Sequence, residues 1–115
     1  MGKLTTHVLD TSQGIPGRAI PVRLFRIDES RTQVTEAVTN HDGRCDAPLL
    51  DADRFQRGTY ELEFAVADYF REQPIPTSEP PYLDLVTLRV TLTDDAHYHV
   101  PLLVSPWSYS TYRGS

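Results

Sequence analysis

Residues 86–93 read Val-Thr-Leu-Arg-Val-Thr-Leu-Thr, so apolar and polar side chains alternate along the whole stretch. Because successive side chains of a β-strand point to opposite faces, this pattern predicts a strand with one buried face. Residues 60–66, Tyr-Glu-Leu-Glu-Phe-Ala-Val, alternate in the same way. Both stretches contain β-branched or aromatic side chains, which pack well in sheets. An all-β fold is therefore expected.

Other short stretches of the chain are bounded by turn-forming residues, and we interpret them as strands too. They lie at residues 5–10, 20–27, 33–39, 98–104 and 108–112. Turns are expected between them at residues 13–17, 40–43 and 93–96. This spacing predicts an antiparallel sandwich, built as a single domain over residues 1–115.

One stretch, residues 67–73, shows no alternation and is interpreted as a short helix. Pro74 and Pro76 should end it, because proline lacks the amide donor and clashes with the preceding turn. Residues 72–81 are expected to form an exposed loop.

Composition excludes several classes of function. The 115 residues carry a formal charge of −5 and contain no basic run, which argues against a nucleic-acid partner. Cys45 is the single cysteine, so no internal disulfide forms and a reducing compartment is favoured. Residues 1–10 lack the apolar core of a signal peptide, and no stretch reaches the roughly 18 apolar residues that span a membrane. We expect a cytoplasmic protein without a membrane partner.

Three histidines and one arginine are candidates for chemistry: His7, Arg44, His97 and His99. His97 and His99 flank Tyr98, so in a strand their side chains project from one face. Two imidazoles so close lower each other's proton affinity, which favours a neutral base near pH 7. Each histidine alone could equally be a surface residue, and His41, in a predicted turn, is left with that interpretation.

Other chemistries have weaker support. His7, His97 and His99 could bind zinc, but no carboxylate or cysteine stands at a recognisable ligand spacing. Arg44 could favour the thiolate of Cys45, although a buried thiol is the commoner fate of a lone cysteine. The serines between residues 105 and 115 lack the strand-elbow motif of a nucleophile. The sequence therefore predicts no metal and no cofactor.

Four motifs together resemble those of 5-hydroxyisourate hydrolases, which are members of the transthyretin-like family. They are Leu-Thr-Thr-His-Val-Leu-Asp-Thr with Gly-Ile-Pro-Gly at 4–17, Asp-Gly-Arg at 42–44, His-Tyr-His-Val-Pro-Leu-Leu at 97–103, and the closing segment 105–115. The resemblance runs from Leu4 to Ser115 in family order. The terminal Tyr-Arg-Gly-Ser is specific, since it separates these enzymes from hormone-carrying transthyretins. The family's usual Phe-Phe-Pro-like segment is replaced here by Tyr82-Leu83-Asp84.

The resemblance implies a transthyretin-like sandwich of two four-stranded antiparallel sheets with one short helix, placed at residues 67–73. It also implies a homotetramer whose sites lie where subunits meet. A small sandwich filled by its own side chains gains a cleft by such association.

The implied reaction is hydrolysis of 5-hydroxyisourate to 2-oxo-4-hydroxy-4-carboxy-5-ureidoimidazoline in urate degradation. His7 and His99 would activate water and transfer protons, in an order that stays open, while Arg44 clamps the substrate oxygens. Tyr112 would bind the substrate, and Ser115 would orient it and close the site. His97 would support the site residues without contacting the substrate. The alternatives are a non-enzymatic small-ligand carrier, which would need an apolar lining, and a structural sandwich that pairs edges with a partner.

Overall fold

The computed structural model describes residues 2–114, and within them the chain forms eight strands and one helix. In chain order the elements are β1 Lys3–Asp10, β2 Ile15–Pro16, β3 Pro21–Ile27, β4 Arg31–Val38, β5 Gly58–Ala65, α1 Ala67–Arg71, β6 Leu85–Leu92, β7 His97–Val104 and β8 Tyr109–Thr111. The strands expected from alternation and from turn residues are all confirmed, with bounds shifted by at most a few residues.

The strands form two four-stranded sheets, in the orders β2-β1-β7-β8 and β4-β3-β5-β6. This arrangement confirms the transthyretin-like sandwich of two four-stranded sheets with one short helix. The alternation of β5 and β6 explains how the second sheet supplies its half of the core. Tyr60, Leu62 and Phe64 are each no more than 1% exposed, and Leu62 is the register partner of Leu88. Burying each such side chain contributes about 1.5–3 kcal/mol, so these strands are fixed by the hydrophobic effect.

One strand pair differs from the antiparallel expectation. β1 and β7 run parallel, with Thr5 opposite His99 and Asp10 opposite Val104. About ninety residues separate these partners, so no hairpin forces them to be antiparallel. The first sheet is therefore mixed, and its two central strands are the ones that carry the three candidate histidines.

Two smaller differences concern short elements. The segment expected as a turn at 13–17 contains the two-residue strand β2, which pairs with the end of β1. The helix ends at Arg71, two residues before the predicted end. The helix is held to the first sheet by Tyr69, whose hydroxyl donates a 2.8 Å hydrogen bond to the buried carboxylate of Asp10. No helix within residues 2–114 has the length and apolar character needed to cross a membrane.

Candidate active site

The outer face of β1 and β7 carries the predicted site residues. Leu4 and Val8 of β1 are fully buried, whereas Thr5 and His7 alternate with them and are half-buried on the other face. On β7, His97 is exposed and His99 half-buried, while Tyr98 between them faces the core. As the spacing predicts, the two imidazoles share a face, with ring centroids 6.5 Å apart.

Arg44 is brought to this face by a tight loop. The backbone of Arg44 forms an isolated bridge with His7, and the amide of Val8 donates a 2.8 Å hydrogen bond to the carbonyl of Gly43. Gly43 has φ +80°, and a Cβ at this position would lie 2.4 Å from the carbonyl oxygen of Val8. Glycine is therefore required here for two reasons, the left-handed backbone and the close approach. The loop and β1 together put Arg44 beside His7.

The hydrogen bond of His7 defines which of its nitrogens is available for chemistry. Its Nε2 lies 2.9 Å from the carbonyl oxygen of Asp42. Since a carbonyl accepts but never donates, Nε2 carries a proton. Neutral His7 therefore has its lone pair on Nδ1, and the hydrogen bond fixes this tautomer.

His99 is poised to be neutral. Burial lowers the pKa of its imidazole below the ordinary value of 6.5, and the positive charges of Arg44, His7 and His97 lower that pKa further. This agrees with the neutral base expected from the His-Tyr-His spacing. The physical cause differs from the expected one, however, because burial contributes more than the neighbouring imidazoles.

A solvent-accessible cleft of about 400 Å³ opens over these groups. It is lined by Thr5, Thr6, Arg44, Cys45, His97 and His99.

Cys45 has the opposite electrostatics from a nucleophile: burial raises the pKa of its thiol, and the carboxylate of Asp46 raises it further. Arg44 therefore does not generate a thiolate here, and the half-buried thiol agrees with the fate that the sequence analysis preferred for Cys45.

The C-terminal segment contacts the site through its backbone. The amide of Gly114 donates a 2.7 Å hydrogen bond to the carbonyl of His99. A Cβ on Gly114 would lie 2.8 Å from Cδ2 of the His99 ring, so the absence of a side chain lets this segment pack against the imidazole. The next residue, Ser115, was expected in the site but lies outside the described residues.

Tyr112 lies outside the cleft that the histidines line. It lines a separate, largely apolar cavity of about 220 Å³ at the edge of the sandwich, together with Val90 and Val100. In the same region the guanidinium of Arg113 stacks over the ring of Tyr98, 4.3 Å from its centroid. Tyr112 is thus not part of the cleft that His97, His99 and Arg44 line within one chain.

Sequence reasoning missed Thr5. Its Oγ1 lies 2.9 Å from Nε2 of His97 and 2.9 Å from Nδ1 of His99, so one hydroxyl joins both rings. The signal was available, because Thr5 stands two residues before His7 and shares its face of β1. In the part of the chain that the structure describes, no three His, Cys, Asp or Glu side chains are grouped to hold a metal ion.

Fold and cleft together define a transthyretin-like β-sandwich with a polar site of imidazole and guanidinium groups. A family model described as HIUase/Transthyretin family matches residues 4–114. The chain belongs to the HIUase/Transthyretin family, and the resemblance inferred from its four motifs is confirmed.

Individual relatives refine this placement. The chain is 58% identical to a 5-hydroxyisourate hydrolase of Ralstonia nicotianae, over 117 aligned positions that cover all of both proteins. Among solved structures, (S)-allantoin synthase superposes with a TM-score of 0.93 and 47% identity. The alignment covers 99% of this chain but only 44% of that synthase. Sea bream transthyretin in complex with thyroxine superposes with a TM-score of 0.85 and 26% identity, covering 97% and 94% of the two chains.

Proposed function

We propose that this chain is an enzyme that hydrolyses 5-hydroxyisourate to 2-oxo-4-hydroxy-4-carboxy-5-ureidoimidazoline. One observation carries the proposal: Arg44 from one loop and His99 from β7 line the same cleft, His7 of β1 is bridged to Arg44, and the pKa of His99 is lowered. The high identity to a 5-hydroxyisourate hydrolase over its whole length supports the same substrate. The whole of residues 1–115 would act as one domain.

The chemistry of the cleft suits hydrolysis of a cyclic amide. Water attacks the carbonyl of the six-membered ring, the adjacent carbon–nitrogen bond breaks, and the leaving nitrogen gains a proton. A neutral imidazole removes the proton from water, and either His99 or His7, through its free Nδ1, has the required lone pair. Arg44 presents a planar fork of donors to the substrate oxygens and to the developing oxyanion.

The proposal extends to the assembly. Tyr112 and Ser115 are proposed to bind and orient substrate, yet Tyr112 lies away from the cleft of its own chain. A homotetramer with sites at the subunit junctions would allow Tyr112 of one subunit and the cleft of another to meet in one enclosed site. The edge strand β8 supports this, since Tyr109 to Thr111 are exposed and Trp107 beside them is 55% exposed. Cytoplasmic location, and catalysis without metal or cofactor, belong to the same proposal.

The decisive experiment generates 5-hydroxyisourate in situ by oxidising urate enzymatically and follows its ultraviolet absorbance with and without this protein. We expect the absorbance to decay faster with the protein, and equally fast after dialysis against a chelator. A decay no faster than the spontaneous one overturns the proposal. Binding of thyroxine under the same conditions, without acceleration of the decay, would favour the carrier interpretation instead.

The pH dependence of activity provides a second test. Because the pKa of His99 lies below 6.5, kcat/KM should stay high at neutral pH and fall in acid with a midpoint below that value. The cationic guanidinium of Arg44 is one cause of the low pKa, so Arg44→Gln should move the pKa of His99 upward. NMR titration of the His99 ring protons, which needs no turnover, measures that shift directly. An unchanged or lower pKa in Arg44→Gln contradicts the electrostatic coupling.

A further inference from the structure

The hydroxyl of Thr5 bridges two histidine rings, and nothing in the proposed reaction yet uses it. Thr5 is half-buried on β1, with Oγ1 at 2.9 Å from both His99 Nδ1 and His97 Nε2. We propose that Thr5 is a positioning residue that sets the tautomer of His99 and connects this ring through His97 to solvent. The inference rests on the proposed hydrolysis and adds a proton path to it.

Because the hydroxyl of Thr5 carries one proton, the two hydrogen bonds that join His99, Thr5 and His97 have only two possible arrangements. A threonine hydroxyl has one proton to donate and lone pairs with which to accept. In the first arrangement His99 Nδ1–H donates to Thr5, and Thr5 donates to His97 Nε2. In the second, His97 Nε2–H donates to Thr5, and Thr5 donates to His99 Nδ1. His99 has a free lone pair on Nε2 in the first arrangement and a proton there in the second.

Hydrolysis needs both a base and an acid. His99 can act as the base in the first arrangement and as the acid in the second. Starting from the first, Nε2 of His99 takes the proton of the attacking water as the new carbon–oxygen bond forms. The Nδ1 proton then passes to Thr5 Oγ1, and the proton that Thr5 carried passes to His97 Nε2. When the carbon–nitrogen bond breaks, Nε2 of His99 gives its proton to the leaving nitrogen. One proton moves back from His97 Nε2 to Thr5 Oγ1, and another moves back from Thr5 to His99 Nδ1. One water is consumed, and no proton is gained or lost.

The surroundings favour this path. His97 is exposed, so a proton that arrives there is stabilised by water, whereas half-buried His99 faces the charges of Arg44, His7 and His97. The neighbouring threonine behaves differently: Thr6 is buried, and its hydroxyl donates a 2.6 Å hydrogen bond to the backbone carbonyl of Val100. Thr6 thus has the structural role that is usual for a strand threonine, while Thr5 contacts ionisable rings.

The test compares Thr5→Val, which keeps the β-branched shape but removes the hydroxyl, with Thr5→Ser, which keeps the hydroxyl. For Thr5→Val we expect kcat to fall about 10- to 100-fold, with KM within about 2-fold; this is less than the about 100-fold or more expected for loss of an acid–base group itself, because Thr5 acts through His99. Thr5→Ser should recover kcat to within about 3-fold of the unmodified protein. Thr87→Val, on the exposed face of β6, is the matched control and should leave both constants unchanged.

A second readout is independent of substrate. The ¹⁵N shifts of His99 should show a hydrogen-bonded Nδ1 that exchanges between both tautomers in the unmodified protein, and this exchange should disappear in Thr5→Val, or in Thr5→Ala if Thr5→Val does not fold. Unchanged kcat in the variant lacking the hydroxyl, or a His99 Nδ1 without hydrogen-bond character, overturns the proposal. If the protein does not accelerate decay of 5-hydroxyisourate but the tautomer depends on Thr5, the proposed function fails and the positioning role stands.

Discussion

We expect replacement of His99 with glutamine to lower kcat for 5-hydroxyisourate by about 100-fold or more, as when a general acid–base group is lost. Glutamine approximates the size of imidazole and keeps hydrogen-bonding atoms, so the packing against Gly114 and the fold are largely preserved. It has no titratable nitrogen, so it cannot exchange a proton with water or with the leaving nitrogen. Steady-state kinetics at neutral pH measure the change, and circular dichroism confirms the fold.

A matched control separates this effect from general damage. His41 lies in the turn before Gly43, its side chain is 81% exposed, and it was interpreted from sequence as a surface residue. His41→Gln should keep the kcat of the unmodified protein. Comparable activity in His99→Gln and His41→Gln would mean that His99 takes no part in the chemistry.

The elements that the sequence predicted well are those set by local patterns. Alternation at residues 60–66 and 86–93 reports directly which side chains leave water, and the structure places strands there. The pairing of β1 with β7 was not predictable in the same way. Parallel pairing across about ninety residues depends on how the two sheets close around the core, which no local pattern encodes.

For the site, residue types were easier to predict than environments. His7, Arg44 and His99 could be selected from motif resemblance, and the structure brings them to one face of the first sheet. The reason for the low pKa of His99 is burial, which follows from tertiary packing and not from the His97 spacing alone. Tyr112 shows the same limit, because its place beside an apolar cavity depends on where β8 ends relative to β6. Thr5 was missed because threonine is common in strands, so its shared face with His7 was not distinctive, and its position opposite His99 depends on tertiary pairing.

The loop that holds Arg44 depends on glycine at position 43, and Gly43→Ala should be among the most destabilising single changes in this chain. At φ +80° the left-handed backbone costs an alanine about 1–2 kcal/mol. Its Cβ would also stand 2.4 Å from the carbonyl oxygen of Val8, so the loop or β1 must shift, at a further cost of about 1–3 kcal/mol. The expected loss in the free energy of unfolding is thus roughly 2–5 kcal/mol, and kcat/KM should fall as well because Arg44 moves with the loop.

Gly14→Ala is the matched control for Gly43→Ala, since Gly14 has φ +69° but a Cβ added there would meet no heavy atom within 4 Å. It should show the backbone cost alone, about 1–2 kcal/mol, and normal kcat/KM. Urea unfolding of both variants at one protein concentration isolates the contact with Val8, because association would otherwise add to the apparent stability. Equal losses in the two variants would mean that the close approach of Gly43 to β1 contributes nothing to stability. Normal kcat/KM in Gly43→Ala would mean that Arg44 is held at the site by something other than this loop.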